Sequence, residues 1–164
     1  MPTHHKIKTQ LTQNLSFVTG PPLVTPSSQE KIAMSSRLIP DVFIGKPLDQ
    51  AGFPGLYNGY VDIRDVARLV VFGVEHPEKA NNERFLAASF YSPPQAVADI
   101  LREAFPDRAD VIEKGTPGEG YRPDYSFSGT VYDGSKAVRV TGQDYIPWRQ
   151  TVLDTIEKLK PVLV

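Results

Sequence analysis

Hydrophobic and polar positions along the chain follow two periods in alternation. Leu15, Phe17 and Val18 make a short apolar run closed by Gly20-Pro21-Pro22, which predicts a strand delivering its carboxyl end into a loop. Ser27-Ser28-Gln29-Glu30 has capping-box spacing, and Ile32, Met34 and Leu38 behind it predict a helix that ends before Pro40. Tyr60 to Ile63 alternates like a strand. Asp62 or Asp65 then opens a helix on which Val66, Ala67, Val70, Val71 and Val74 recur at helical spacing, until Pro77 stops it. Phe85-Leu86-Ala87-Ala88, within Glu83 to Ser89, predicts a second buried strand. Ser92 as cap and Pro93 in the first turn begin a helix with Val97, Ile100, Leu101 and Ala104 facing inward. From Pro147 to about Lys160 an amphipathic helix carries Val152, Ile156 and Leu159 on one face. Strands alternating with helices indicate an α/β layer.

The remaining segments carry weaker patterns. Residues 1–13 are polar without a period and read as a disordered or irregular arm, leaving 14–164 as one structural unit. The Gly- and Pro-rich stretch from Gly45 to Gly59 reads as a surface excursion, an ordinary loop ahead of a lid. Pro106 to Gly134 is irregular, with a strand expected near Thr130 to Tyr132.

Composition narrows the function classes. The 164 residues are 40% hydrophobic and 23% charged, with 18 basic against 19 acidic side chains scattered along the chain. Such a balance provides no field for polyphosphate, so nucleic acid is not expected as a partner. The absence of cysteine excludes disulfides and thiolate metal sites and fits a reducing compartment. The longest apolar runs, such as Leu69 to Val74, are too short to span a bilayer, and Met1 to Leu11 lacks the apolar centre of a signal peptide. The expectation is a cytoplasmic protein without a membrane partner. His4 and His5 lie in the polar arm and His76 at a helix end, so no metal site is expected.

Neither of two glycine clusters has the pattern of a phosphate cradle. Gly115-Thr116-Pro117-Gly118-Glu119-Gly120 has the wrong spacing, no clear strand before it, and a proline where an amide is needed. Gly52-Phe53-Pro54-Gly55 fails on the same grounds. Tyr132 and Lys136 present Tyr-x-x-x-Lys, a spacing that sets both side chains on one helix face for acid-base work, but Gly134 between them opposes a helix.

Asn14-Leu15-Ser16-Phe17-Val18-Thr19-Gly20-Pro21-Pro22 resembles the Asn-Pro-x-x-Val-x-Gly-Pro signature of the extended short-chain dehydrogenases/reductases, in particular their fungal methylglyoxal- and ketone-reductase, dihydroflavonol-reductase-like branch. Tyr60-Val61-Asp62-Ile63-Arg64-Asp65-Val66-Ala67 is similar to that family's Val-Asp-Val-Arg-Asp-Val-Ala strand-helix junction. Asp133-Gly134-Ser135-Lys136-Ala137, with Pro147 and Thr151, is similar to its Asp-x-Ser-Lys element and closing helix. The resemblance runs from about Asn14 to Leu163.

The resemblance implies the carboxyl-terminal portion of that fold, incomplete: the last strands of a Rossmann sheet plus the substrate-binding lobe. It implies NADP or NAD as cofactor of an intact member and a small aldehyde or ketone as substrate. The Gly-rich turn and the Ser, Tyr and Lys that perform catalysis precede this part in the family, so the expectation is no catalytic residue and no turnover by these residues alone. By position, Leu15 would lie beside the nicotinamide ring and Val18 would give it a backbone amide. Pro21, Pro22 and Leu23 would line the mouth of the substrate pocket, and Asp62, Arg64 and Asp65 would fix the junction beneath it, a helix cap with a solvated ion pair being the competing reading. Leu15 and Ser16 depart from the signature. A sheet edge would stand open, offering a route to self-association. The competing function is a non-catalytic module docking through that edge, and the bland one is a remnant without activity.

Overall fold

The computed structural model describes residues 12–53, 59–127 and 132–164. The apolar run before Gly20 is two strands, β1 (Thr12–Leu15) and β2 (Phe17–Thr19), that belong to different sheets. Ser16 carries the chain from one to the other, its amide and hydroxyl both donating to the carbonyl of Ala87 at 3.2 and 2.9 Å. After β2 come two single 3-10 turns, Gln29–Lys31 and Met34–Ser36, and then α1 (Leu38–Phe43). The expected capping-box helix does not form. The α-helix begins where it was expected to end, because Pro40 sits in the first turn, where its missing amide would have had no helical partner in any case.

β3 (Gly59–Asp62) runs into α2 (Ile63–Glu75), followed by α3 (Pro77–Ala80), β4 (Arg84–Ala87) and β5 (Phe90–Tyr91). β1 pairs in parallel with β4, with Leu15 opposite Ala87. β2 pairs in parallel with β3, with Val18 opposite Val61, and β3 pairs antiparallel with β5. α4 (Pro94–Ala104) starts one residue later than its sequence suggests. Pro93 precedes another proline, which drives it into extended backbone at ψ 164°, and helical backbone starts only at Pro94. α5 (Ser135–Thr141) and α6 (Trp148–Leu163) complete the chain. Of the strand expected near Thr130 to Tyr132, Thr130 and Val131 lie outside the described residues, as do residues 1–11 of the arm.

Two apolar clusters hold these elements. The larger gathers Ile39, Val42 and Phe43 of α1, Val97 and Leu101 of α4, and Trp148, Val152, Ile156 and Leu159 of α6. Tyr60 of β3 joins it, its ring 5.2 Å from that of Trp148. The smaller cluster sits between the strands and α2, with Val61, Leu69, Phe85 and Ala87 buried and Val18 packed against them. α2 departs from its sequence reading. Its buried positions are Asp65, Leu69 and Gly73, whereas Ala67, Val70, Val71 and Val74 are exposed. Among the described residues no helix is long and apolar enough to cross a membrane.

Candidate functional site at the carboxyl end of β2

β2 ends on Thr19, and the chain turns at Gly20 with φ +125°, a conformation closed to residues with a side chain. A Cβ at Gly20 would stand 3.1 Å from both Oδ1 of Asp62 and Cγ2 of Ile63. The glycine therefore allows the turn and lets it lie directly on the β3–α2 junction. From there Pro21 to Pro26 runs over the protein towards α6, where the Thr25 hydroxyl reaches the carbonyl of Lys158 at 3.5 Å.

This exit loop roofs a cavity of about 150 Å³. Gly20, Pro22 and Val24 form one wall, Ile32 of the 3-10 segment a second and Leu159 of α6 a third, with Lys31 on the rim. The Lys31 ammonium donates to the hydroxyl of Ser27 at 2.9 Å. Such a pocket can seat a small, largely apolar molecule of about six heavy atoms. Apart from Lys31 on the rim, no acidic or basic side chain lines it. Of the three residues expected at the pocket mouth, Pro22 lines the cavity, Pro21 is half-buried beside it, and Leu23 is 95% exposed. Ile32 and Leu159 escaped the sequence reading, since nothing in spacing brings residues so far apart in the chain to one cavity.

Beneath the turn lies a buried carboxylate. Asp62 is fully buried and caps α2 by accepting from the Arg64 amide at 2.8 Å. The Arg64 side chain clasps it with two hydrogen bonds, Nε to Oδ1 at 2.9 Å and Nη2 to Oδ2 at 2.8 Å. Nη1 of the same guanidinium reaches Asp154 on α6 at 2.6 Å, and the Thr151 hydroxyl donates to Asp62 at 2.7 Å. Hydrogen bonding to Asp62 above all holds the Arg64 pKa higher than its ordinary value, so the clasp stays charged. One carboxylate is thus both the cap of α2 and the floor of the Gly20 turn. Asp65 serves a separate bond set, accepting from Arg68 on its own helix and from the Ile146 amide at 3.1 Å.

Tyr132 and Lys136 do not share a helix face. α5 starts at Ser135, Asp133 accepts from the Ser135 amide at 2.9 Å, and Lys136 bonds to Glu83 at 2.5 Å. The Tyr132 ring instead meets Phe127 edge-on at 5.6 Å. Amides of the Gly115–Gly120 loop are also committed within the protein. That of Thr116 donates to Gln95 and that of Gly118 to Asp99, at 2.9 and 2.8 Å. That loop therefore does not fit a dinucleotide pyrophosphate. Of the two residues expected at the nicotinamide, Val18 is half-buried with its side chain packed against the smaller cluster, and Leu15 ends β1, paired with Ala87. Among the described residues no three histidine, aspartate or glutamate side chains converge to hold a metal.

No family model matches the sequence. The NADPH-dependent methylglyoxal reductase GRE2 of Saccharomyces cerevisiae is 27% identical over 154 residues, covering 93% of this chain and 44% of its own length. An uncharacterized oxidoreductase of the same yeast, YGL039W, is 30% identical over 92% of this chain and 42% of its own length. The crystal structure of Gre2 from Candida albicans superposes with a TM-score of 0.76 at 30% identity, over 92% of this chain and 44% of that one. Yeast methylglyoxal/isovaleraldehyde reductase Gre2, solved with NADPH, superposes with the same TM-score of 0.76 at 25% identity, over 92% of this chain and 43% of that one. The chain thus spans less than half the length of the relatives it matches.

Proposed function

Because the chain belongs with the fungal Gre2-like oxidoreductases and matches a carboxyl-terminal part of them, we propose that it forms the substrate-facing wall of an NADPH-dependent reductase of small aldehydes and ketones. The observation that carries this reading is the cavity beside Gly20. It opens at the carboxyl end of a parallel strand, where open α/β sheets take their ligands, and its apolar walls suit a short branched carbonyl compound. Pro22, Ile32 and Leu159 grip the alkyl part, and Pro21 and Leu23 stand at the approach. The Val18 backbone amide would serve the nicotinamide carboxamide, and Leu15 holds the chain position beside the ring. Asp62, Arg64 and Asp65 hold the β3–α2 junction, so that the Gly20 turn keeps its height above the cavity.

In this reading the chain binds and orients, while the pyrophosphate-gripping turn and the proton donor come from the rest of such an enzyme. A chain free of cysteine suits the reducing cytoplasm. The test is a methyl-resolved NMR titration of the chain with isovaleraldehyde. Ile32 and Leu159 methyl signals should shift, and Ile32→Trp, which fills the cavity, should abolish the response. Unperturbed methyls would refute the pocket. Aldehyde-dependent oxidation of NADPH by the purified chain alone would refute the division of labour.

A further inference from the structure

The cavity beside Gly20 is electrically lopsided. Its walls are apolar at Pro22, Val24, Ile32 and Leu159, and Lys31 on the rim is the one ionisable side chain among those that line it. All 19 aspartates and glutamates of the chain lie among the described residues, and none forms an ion pair with Lys31. The ammonium is held instead by the neutral hydroxyl of Ser27, at 2.9 Å. The acid next to it in sequence is engaged elsewhere. Hydrogen bonding from the Ser28 side chain above all holds the Glu30 carboxyl below the ordinary glutamate value, and Arg37 adds to this. An ammonium beside apolar walls with no counter-ion is half of a recognition pair, which an anionic ligand completes.

The place of the charge says which anion. Alkyl groups belong against the apolar walls, and a carbonyl that is to be reduced has to stay at the mouth, within reach of the reacting groups outside this chain. An anionic group that meets the rim is then next to the carbonyl. Ser36, which also lines the cavity, is the other residue there with a side-chain donor. One ammonium and one hydroxyl match the two oxygens of a carboxylate, whereas a phosphate asks for more donors. Resting on the reductase reading above, we infer that this site selects short branched 2-oxo acids over neutral aldehydes and ketones, with the alkyl part in the cavity and the carboxylate on Lys31.

The test is a pair of methyl-resolved NMR titrations of the chain, with 3-methyl-2-oxobutanoate and with 3-methyl-2-butanone, which has a methyl where the first has its carboxylate. Both should shift the Ile32 and Leu159 methyls. The oxo acid should bind about fivefold tighter at low ionic strength, the worth of a favourable exposed ion pair, and its advantage should shrink in ~1 M salt. Lys31 is exposed, so its replacement leaves the core intact. Lys31→Met should bring the ratio of the two dissociation constants to one, and Lys31→Glu should invert it. Lys158→Met, an exposed cation on α6 that does not line the cavity, should leave the ratio as it is. Equal affinities in the parent chain overturn the inference and leave the reductase reading standing, as does a preference that survives Lys31→Met or vanishes with Lys158→Met. Methyls that neither compound moves remove the pocket itself, and both readings with it.

Discussion

The hydroxyl of Thr151 donates to Oδ2 of Asp62 at 2.7 Å, joining α6 to the β3–α2 junction across 89 residues of sequence. Both side chains are fully buried. Asp62 also accepts from the Arg64 amide and guanidinium, so one carboxylate satisfies a helix cap, an ion pair and a buried hydroxyl. Asp62→Ala leaves those donors without an acceptor and should cost about 3 kcal/mol. Thr151→Val removes one neutral partner and should cost about 1 kcal/mol. Their combination should be well short of additive, since both act on one network. Urea denaturation checks this, and a fully additive pair would mean that the two residues act independently.

Gly20→Ala places a methyl 3.1 Å from Asp62 and Ile63 at φ +125°. The Ile63 methyl can rotate away, but Asp62 is held by its hydrogen bonds, so the turn has to move. The expected loss is about 1–3 kcal/mol. The same variant should weaken isovaleraldehyde binding, because Gly20 is also a wall of the cavity. Pro26→Ala, farther along the loop, should leave the turn intact. Equal stability of Gly20→Ala and the parent in a thermal melt would show that the backbone there relaxes freely.

The parts of this fold that rest on local chemistry were legible in the sequence. α6 and its buried stripe Val152, Ile156 and Leu159 follow from periodicity alone, as do the inward residues Val97, Ile100 and Leu101 of α4. The Gly20 turn and the Asp62 junction were legible because Gly-Pro-Pro and an aspartate before a helix have few local solutions. Partners distant in sequence were not legible: Asp154 reads as one more polar position on α6, yet it completes the Arg64 clasp. α2 misled for another reason. Its valines mark an apolar face correctly, but periodicity does not say whether that face meets this chain's own core. Asp65 and Gly73, which break the apolar pattern, are the residues that point inward.

That inversion has a measurable consequence. Leu69 is 6% exposed and packs in the smaller cluster, so Leu69→Ala should cost about 2–5 kcal/mol. Val74, at 75% exposed, should tolerate alanine within about 0.5 kcal/mol in the chain alone. If Val74→Ala proves as damaging as Leu69→Ala, that face of α2 is already covered in the isolated chain.

Alkaline pH probes the larger cluster. Tyr60 is 3% exposed beneath Trp148, and burial pushes its phenol from 10.0 up to about 12. Tyr145 is likewise raised to about 12, by burial first and then by Asp133. The folded state therefore keeps protons that the unfolded chain releases above pH 10. Stability should be insensitive to these two groups below pH 10 and fall as pH rises from 10 towards 12. For Tyr60 the decline over that window amounts to roughly 3 kcal/mol. Tyrosinate absorbance and far-UV circular dichroism followed together give the test. Tyr60 and Tyr145 should ionise only as the helix signal collapses. Tyr60→Phe should flatten the stability profile across the window. A Tyr60 that ionised near pH 10 while the helices persisted would mean that its ring is open to water, and the packing of β3 against α6 would need to be redrawn.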